Sequence, residues 1–244
     1  MKKSFAILIA CIPALILSSP PSLADCDTVT VHYHVRVPYV EATPIGLAGL
    51  TGTPAALAFE KAAIAFQWKQ TPSKRQLLTI RRNTGCDCSI GWFKNPERQK
   101  FAKFTHHIYQ DKPQIALARA DDSRLYAGMT VETALANRQL KLEVKDGYSY
   151  GVFLDAKIAR HRPKLSRTTG ANVRMLKKIH QRRADYMFIA PEEAASLIQL
   201  SGFPAADFKF VRFSDMSEGE KRYILCSRKV GDDIIEKLNA AIEE

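Results

Sequence analysis

The sequence predicts an α/β fold on three observations. Short β-branched segments alternate with helical ones, the order strand, helix, strand, helix, strand opens the chain, and a second alternating run follows and returns a strand near residue 223. Residues 28–35 (TVTVHYHV) alternate and are rich in β-branched side chains, the mark of a strand. Arg36-Val37-Pro38-Tyr39 ends it, because proline denies the ladder a donor. Residues 43–53 read as a Gly/Pro/Thr-rich loop. Residues 54–66 read as a helix with Thr53 as N-cap and Pro54 at the first helical position. A short strand over 66–68, a helix over 73–82 and a strand over 86–93 complete the first run.

Asn95-Pro96-Glu97-Arg98 opens a short helix, with Asn95 as cap and Pro96 pre-set for the first turn. The second run has strands at 115–120, 140–144 and 186–189 and helices at 130–137, 171–182 and 191–198. A Gly147–Gly151 turn leads into a further helix. Strands at 209–213 and 223–227 follow. A terminal helix over 232–244 carries Ile235, Leu238 and Ile242 on one stripe. The two runs join near residues 110–120.

The N-terminus reads as an export signal. Lys2 and Lys3 precede an apolar run over 5–17, Ser18-Ser19-Pro20-Pro21 breaks it, and Ser22-Leu23-Ala24 offers the small residues a signal peptidase reads. The run falls short of the ~20 residues a membrane span needs. Cleavage after Ala24 is expected, giving a periplasmic protein with no stable membrane span. Leu8-Ile9-Ala10-Cys11 offers a lipoprotein box as the minor alternative. Of 244 residues, 46% are hydrophobic and 25% charged, which supports a buried core in the remaining chain. The net charge of +11 falls to +9 once Lys2 and Lys3 leave (34 basic, 25 acidic). The basic residues are scattered and no zinc-ligand spacing or RNA-recognition signature accompanies them, so nucleic acid is not an expected partner.

Four cysteines stay after cleavage: Cys26, Cys86, Cys88 and Cys226. An even count in an oxidising compartment points to two disulfides. Cys86 and Cys88 flank one residue of a strand and so face the same way, which disfavours a bond between them. Each then needs Cys26 or Cys226.

Residues 147–151 (GYSYG) spell G-x-S-x-G, in a turn that reads as a binding loop, and there is no Walker loop, G-x-G-x-x-G or H-E-x-x-H. His106 and His107 lack the third partner a triad needs. No metal or cofactor is expected, and no enzymatic activity. Three features point to binding instead. Arg98 sits in the first turn of a capped helix, with a planar fork suited to a carboxylate. Ser149 lies in a glycine-bounded strand-to-helix turn with free amides. Tyr39 and Trp92 follow or end strands, where open α/β sheets present ligands.

The order of these segments resembles the extracytoplasmic solute-binding proteins of family 3, the polar amino-acid-binding type. Its pieces are R-V-P-Y (residues 36–39), T-P-S-K-R-Q-L-L (71–78), I-G-W-F-K-N-P-E-R-Q-K-F-A-K-F-T (90–105), V-K-D-G-Y-S-Y-G (144–151), R-R-A-D-Y (182–186) and E-K-L-N-A-A-I (236–242). The resemblance implies a two-lobe, type II periplasmic-binding-protein-like α/β fold, each lobe a mixed sheet flanked by helices and joined by two crossover segments. Lobe 1 would be 25–112 plus 215–244, and lobe 2 113–214. It implies a monomeric receptor that closes on a small polar, carboxylate-bearing, amino-acid-like solute and delivers it to an ABC transporter permease. It implies that Arg98 grips the carboxylate, Tyr39 stacks on the ligand, Trp92 lines the site, and Tyr148 and Ser149 contact the ligand from the second lobe. It also implies Cys88–Cys226 and Cys26–Cys86 as the pairings.

The chain departs from that pattern where amino-acid binders place an acid for the ammonium. Five residues after Asp185 stands Ala190, with Glu192 and Glu193 further on. The 44–52 loop is also apolar where acids are common. An exported binding domain acting in signalling or cofactor-related metabolism without a transporter is the alternative, and an exported hydrolase a weaker one.

Overall fold

The computed structural model describes residues 26–243. The expected leader, 1–24 with Cys11, lies outside the described residues. Two five-stranded mixed sheets make the frame. The chain begins with β1 (Val29–Tyr33), a small hairpin of β2 (Glu41–Thr43) and β3 (Gly46–Ala48), α1 (Gly52–Lys61), β4 (Phe66–Gln70), α2 (Ser73–Arg82), β5 (Asp87–Phe93), α3 (Pro96–Gln99) and β6 (Ala102–Gln110). It crosses to β7 (Ile115–Arg119), α4 (Val131–Ala136), β8 (Lys141–Lys145), α5 (Val152–His161), β9 (Lys164–Thr168), α6 (Asn172–His180), β10 (Tyr186–Ile189), α7 (Pro191–Ser201) and β11 (Phe208–Val211). It then returns through β12 (Lys221–Ser227) to the terminal α8 (Asp232–Glu243).

The first sheet has the order β4-β1-β5-β12-β6 and the second β11-β7-β10-β8-β9. β4, β1 and β5 run parallel, and β12 enters antiparallel between β5 and β6. That arrangement follows from topology: β1 to β5 are linked by helical crossovers, whereas β12 arrives from the other half. The central strands β7 and β10 are buried along their whole length, as continuous apolar runs covered by helices on both faces should be. One core packs α1 and α8 on the first sheet, and two others fill the faces of the second.

Two crossovers join the halves, 111–114 and 212–220, and they bond to each other through Asp111 N–H and the Glu220 carbonyl at 3.0 Å. Gly219 permits that approach, because a Cβ there would meet the Asp111 carbonyl. The Sγ atoms of Cys26 and Cys86 stand at 1.93 Å and those of Cys88 and Cys226 at 2.02 Å, so both expected pairs are at disulfide distance. Among the described residues no helix is long and apolar enough to cross a membrane.

Three sequence expectations need correction. The first helix begins at Gly52, with Thr51 rather than Thr53 at its N-cap. Thr51 Oγ1 donates to the Tyr39 carbonyl at 3.0 Å instead of capping, so packing on the strand end overrides the local cap signal. The stretch read as a loop over 43–53 holds the β3 arm of a hairpin, closed by Thr43 Oγ1 donating to Gly46 O at 3.1 Å. Third, β6 and β9 are edge strands absent from the sequence reading. Each is interrupted by polar residues (AKFTHHIYQ, KLSRT), as strands wet along one side are.

Candidate functional site

The halves meet in a cleft at the ends of β1, β5 and β8, between the two sheets. Contacts cross it throughout. Arg36, just past β1, makes a two-pronged pair with Glu193 in the first turn of α7, Nε to Oε1 at 2.9 Å and Nη2 to Oε2 at 2.6 Å. Asn172 Nδ2 also donates to Glu193 Oε1 at 2.7 Å. Burial works against the Arg36 charge, but Glu193 more than offsets it and holds the guanidinium well above its ordinary pKa. Burial likewise opposes the Glu193 charge, and Arg36 outweighs it, so the carboxyl sits below the usual range.

Arg98 is held as its sequence context predicted. Asn95 Oδ1 accepts the Arg98 N–H at 2.9 Å, which starts α3 and fixes the side chain's direction. The guanidinium is 6% exposed, donates from Nη1 to the Phe93 carbonyl at 2.7 Å and lies 4.8 Å above the Trp92 ring. Among the described residues no carboxylate comes within ion-pair range of it. Burial pushes its pKa down to about 10, the response of a buried cation whose charge is under-compensated.

Trp92 forms the floor. Its Nε1–H donates to Ser89 Oγ at 2.6 Å and Gln76 Oε1 at 3.2 Å, which locks the ring under Arg98. Tyr148 comes from the second half: its oxygen accepts from His34 Nε2 and Lys145 Nζ, each at 3.1 Å. Gln76 Nε2 lies 3.2 Å from His34 Nδ1 and donates to it, which leaves the ring proton on Nε2. Burial raises the Tyr148 hydroxyl, but Arg36 and Lys145 outweigh it and bring it below its ordinary value. The same two cations add to burial in pushing His34 down to about 3. His34 is neutral at any physiological pH.

Ser149 lines the same small cavity of about 40 Å³ as Arg98, Trp92 and Tyr148, but its hydroxyl is engaged within its own turn. It donates to Asp155 Oδ2 at 2.5 Å, while Asp155 Oδ1 takes the Tyr150 N–H at 2.9 Å. Gly151 has φ +93° where the turn enters α5, and a Cβ there would run into the Glu220 carboxylate that accepts the Val152 N–H. Glu220 thus takes the first N–H of α5, and Asp155 braces the turn before it.

Tyr39 sits behind the site. It is 1% exposed, belongs to the core of the first half and packs edge-on against Tyr109 at 6.1 Å. Arg222 covers its ring at 3.8 Å and Arg36 approaches at 5.1 Å. Arg222 is itself clasped by Asp111, Nε to Oδ1 at 2.6 Å and Nη2 to Oδ2 at 2.7 Å, and donates from Nη1 to Gly91 O at 3.0 Å. Sequence reasoning missed Arg36, Lys145, His34, Asp111 and Arg222, and named Glu193 only as an acid beyond the expected position. The one local signal was charge at strand and helix ends that are otherwise apolar.

Beside the small cavity lies a larger one of about 430 Å³, which shares His34 and Arg36 with it. Pro72 and Ser73, Lys145, the Thr169–Val173 loop, Glu193, Leu197 and Leu200 complete its wall. A Thr71–His32–Asp87 row nearby has triad-like spacing, with His32 Nδ1 2.9 Å from Thr71 Oγ1 and Nε2 2.8 Å from Asp87 Oδ1. His32 and Thr71 are 2% and 5% exposed, so the row ties β1 to its neighbours rather than offering a nucleophile.

No family model matches the chain and no curated protein matches it. Solved structures do. An ancestral arginine-binding protein bound to arginine superposes with a TM-score of 0.68 at 16% identity, covering 89% of this chain and 91% of that one. The substrate-binding protein of an amino acid ABC transporter gives 0.66 at 15%, covering 89% and 92%. A Salmonella typhimurium periplasmic binding protein with high arginine specificity gives 0.64 at 13%, covering 88% and 92%. At these identities the likeness speaks for architecture, and this chain has the two-lobe α/β fold of the periplasmic binding proteins.

Proposed function

We propose that this protein is an extracytoplasmic solute-binding protein. It captures a small polar, carboxylate-bearing solute in the cleft between its halves and delivers it to an ABC transporter, with no chemistry of its own. The observation that carries this reading is Arg98: a buried guanidinium aimed into an interlobe cleft, fixed by Asn95 and Phe93, and without a carboxylate of its own among the described residues. The two-lobe fold, shared with solute-binding proteins of transporters, supports it.

In this reading residues 25–112 with 215–244 and residues 113–214 move as two bodies about the paired crossovers. Trp92 shapes the seat, Tyr148 and Ser149 close over it, and Tyr39 serves through the arginines it supports. Closure follows because the solute contacts both bodies only when they meet, and so favours the closed state. The cysteine pairs fit an oxidising compartment, in line with export and cleavage after Ala24.

Arg98→Ala tests the reading. Loss of a charge-assisted contact in a closed cleft should cost about 2–5 kcal/mol of binding with the fold intact. Calorimetry against solutes identified in a thermal-shift screen measures this; unchanged affinity would exclude Arg98 as the anchor.

A further inference from the structure

The charges of the cleft define what kind of solute it can accept. Of the two acids that follow Ala190, Glu193 is the one that lines the larger cavity, and Arg36 already occupies both of its oxygens. Asp111 is taken in the same way by Arg222. Asp155 is held by Ser149 and the Tyr150 N–H, and Glu220 takes the first N–H of α5. Among the described residues Glu193 is the one carboxylate lining either cavity and it is engaged; Glu192, whose Oε1 takes the Tyr109 hydroxyl and the Lys112 N–H, lines neither. Two cations differ. Arg98 and Lys145 have no carboxylate in ion-pair range among the described residues, and Lys145 Nζ is held only by neutral oxygens, those of Tyr148 at 3.1 Å and Asn172 at 2.9 Å.

These two cations lie on opposite halves and on either side of the His34–Tyr148 contact. Arg98 faces the small cavity, and Lys145 faces the larger one. At about 430 Å³ the larger cavity falls within the range of small-ligand sites. Its walls are apolar at Val37, Val173 and Leu197, and its mouth carries Val35 at 48% exposure and Leu200 at 61%. Solvent-facing apolar side chains around a cavity mark surface that a ligand would cover.

Resting on the solute-receptor reading of this cleft, we propose that the solute is a non-zwitterionic dianion, a dicarboxylate or its like with an apolar spacer. One anionic end meets Arg98, the spacer and second end enter the larger cavity, and Lys145 receives the second charge. Arg36 is the residue that excludes amino acids, because its guanidinium stands against Glu193 where a ligand cation would sit.

Titration calorimetry of the purified protein with glutarate, adipate, pentanoate, glutamate and arginine tests this. A dicarboxylate is expected to bind at least about tenfold more tightly than pentanoate, glutamate or arginine, the scale of one charged hydrogen bond. Lys145→Met should lower dicarboxylate affinity about 10- to 100-fold, to the level of pentanoate, while Lys145→Arg keeps the preference. Far-UV circular dichroism of both variants checks the fold. Arg36→Met should release Glu193 and admit arginine. If glutamate or arginine binds the native protein more tightly than either dicarboxylate, or if Lys145→Met leaves dicarboxylate affinity unchanged, the dianion assignment is overturned. Amino-acid binding that Arg98→Ala abolishes would overturn it while leaving the receptor reading intact. No binding by these probes or by a wide metabolite screen would remove both.

Discussion

Removing the Asp111 carboxylate should destabilise the protein more than removing the whole pair it belongs to. Asp111 lies on the first crossover and Arg222 on β12, both about 4% exposed, and they share two hydrogen bonds of 2.6 and 2.7 Å. Burial opposes the Arg222 charge, and Asp111 overcomes that opposition, raising the guanidinium's pKa. In Asp111→Ala, Arg222 stays packed between Tyr39 and Phe93, at 3.8 and 4.6 Å, with its charge uncompensated. Such an orphaned buried charge costs about 3–5 kcal/mol, which for a chain of this size lowers the melting temperature by about 6–20 °C. Arg222→Met in the Asp111→Ala background should recover part of the loss, because the orphan is then gone. Urea unfolding of both single variants and the double one gives the coupling energy, expected at ~2 kcal/mol or more. A loss below ~1 kcal/mol in Asp111→Ala, or additive losses in the cycle, would refute the reasoning that Asp111 compensates the buried Arg222 charge.

Tyr39→Phe should hold or gain about 1 kcal/mol of stability, since the Tyr39 hydroxyl is buried with no hydrogen-bond partner; a clear loss in urea melts would show that the hydroxyl has a partner after all. Folding leaves His34 with a pKa near 3, below its ordinary 6.5, so its contribution is present above pH 6.5 and lost as pH falls toward 3. Between pH 7.5 and 5 this should remove about 1–2 kcal/mol, and the loss should vanish in His34→Gln; an identical pH profile in that variant would contradict it. Reduction of the Cys26–Cys86 and Cys88–Cys226 pairs should cost about 2–5 kcal/mol each, and non-reducing peptide mapping that finds free thiols or other pairings would refute the assignment.

What the sequence makes legible here is what local pattern encodes. α2 and β10 match their sequence-read limits residue for residue, because Ser73–Arg82 and Tyr186–Ile189 are bounded by turn signals and have unmixed patterns. β6 and β9 escape because an edge strand needs no apolar continuity. The same division runs through the site. Arg98 is legible from the Asn95-Pro96 start of its own helix. The Arg36–Glu193 and Arg222–Asp111 pairs bridge 157 and 111 positions, and no spacing rule reaches so far. Tyr39 shows the intermediate case. Its place at a strand end is readable, but which side of Arg222 its ring occupies depends on β12, which arrives from the far end of the chain.

The preformed pairs also determine what can hold the cleft shut. Arg36 and Glu193 lose water on meeting across it, and for a buried pair the desolvation penalty consumes most of the Coulombic gain. Their contact therefore orients the two halves more than it drives them together. Arg98 and Lys145 gain no carboxylate from closure among the described residues: Arg98 is buried against the Phe93 carbonyl, and Lys145 meets only the Tyr148 and Asn172 oxygens. An unliganded closed form bears the burial cost of the Arg98 charge with no carboxylate to offset it. A solute that meets both cations offsets it, and does so only when both halves are in place. Differential affinity of that kind is what population shift requires. The engaged acids thus set the chemistry of the ligand, and the two cations without carboxylate partners make closure depend on it.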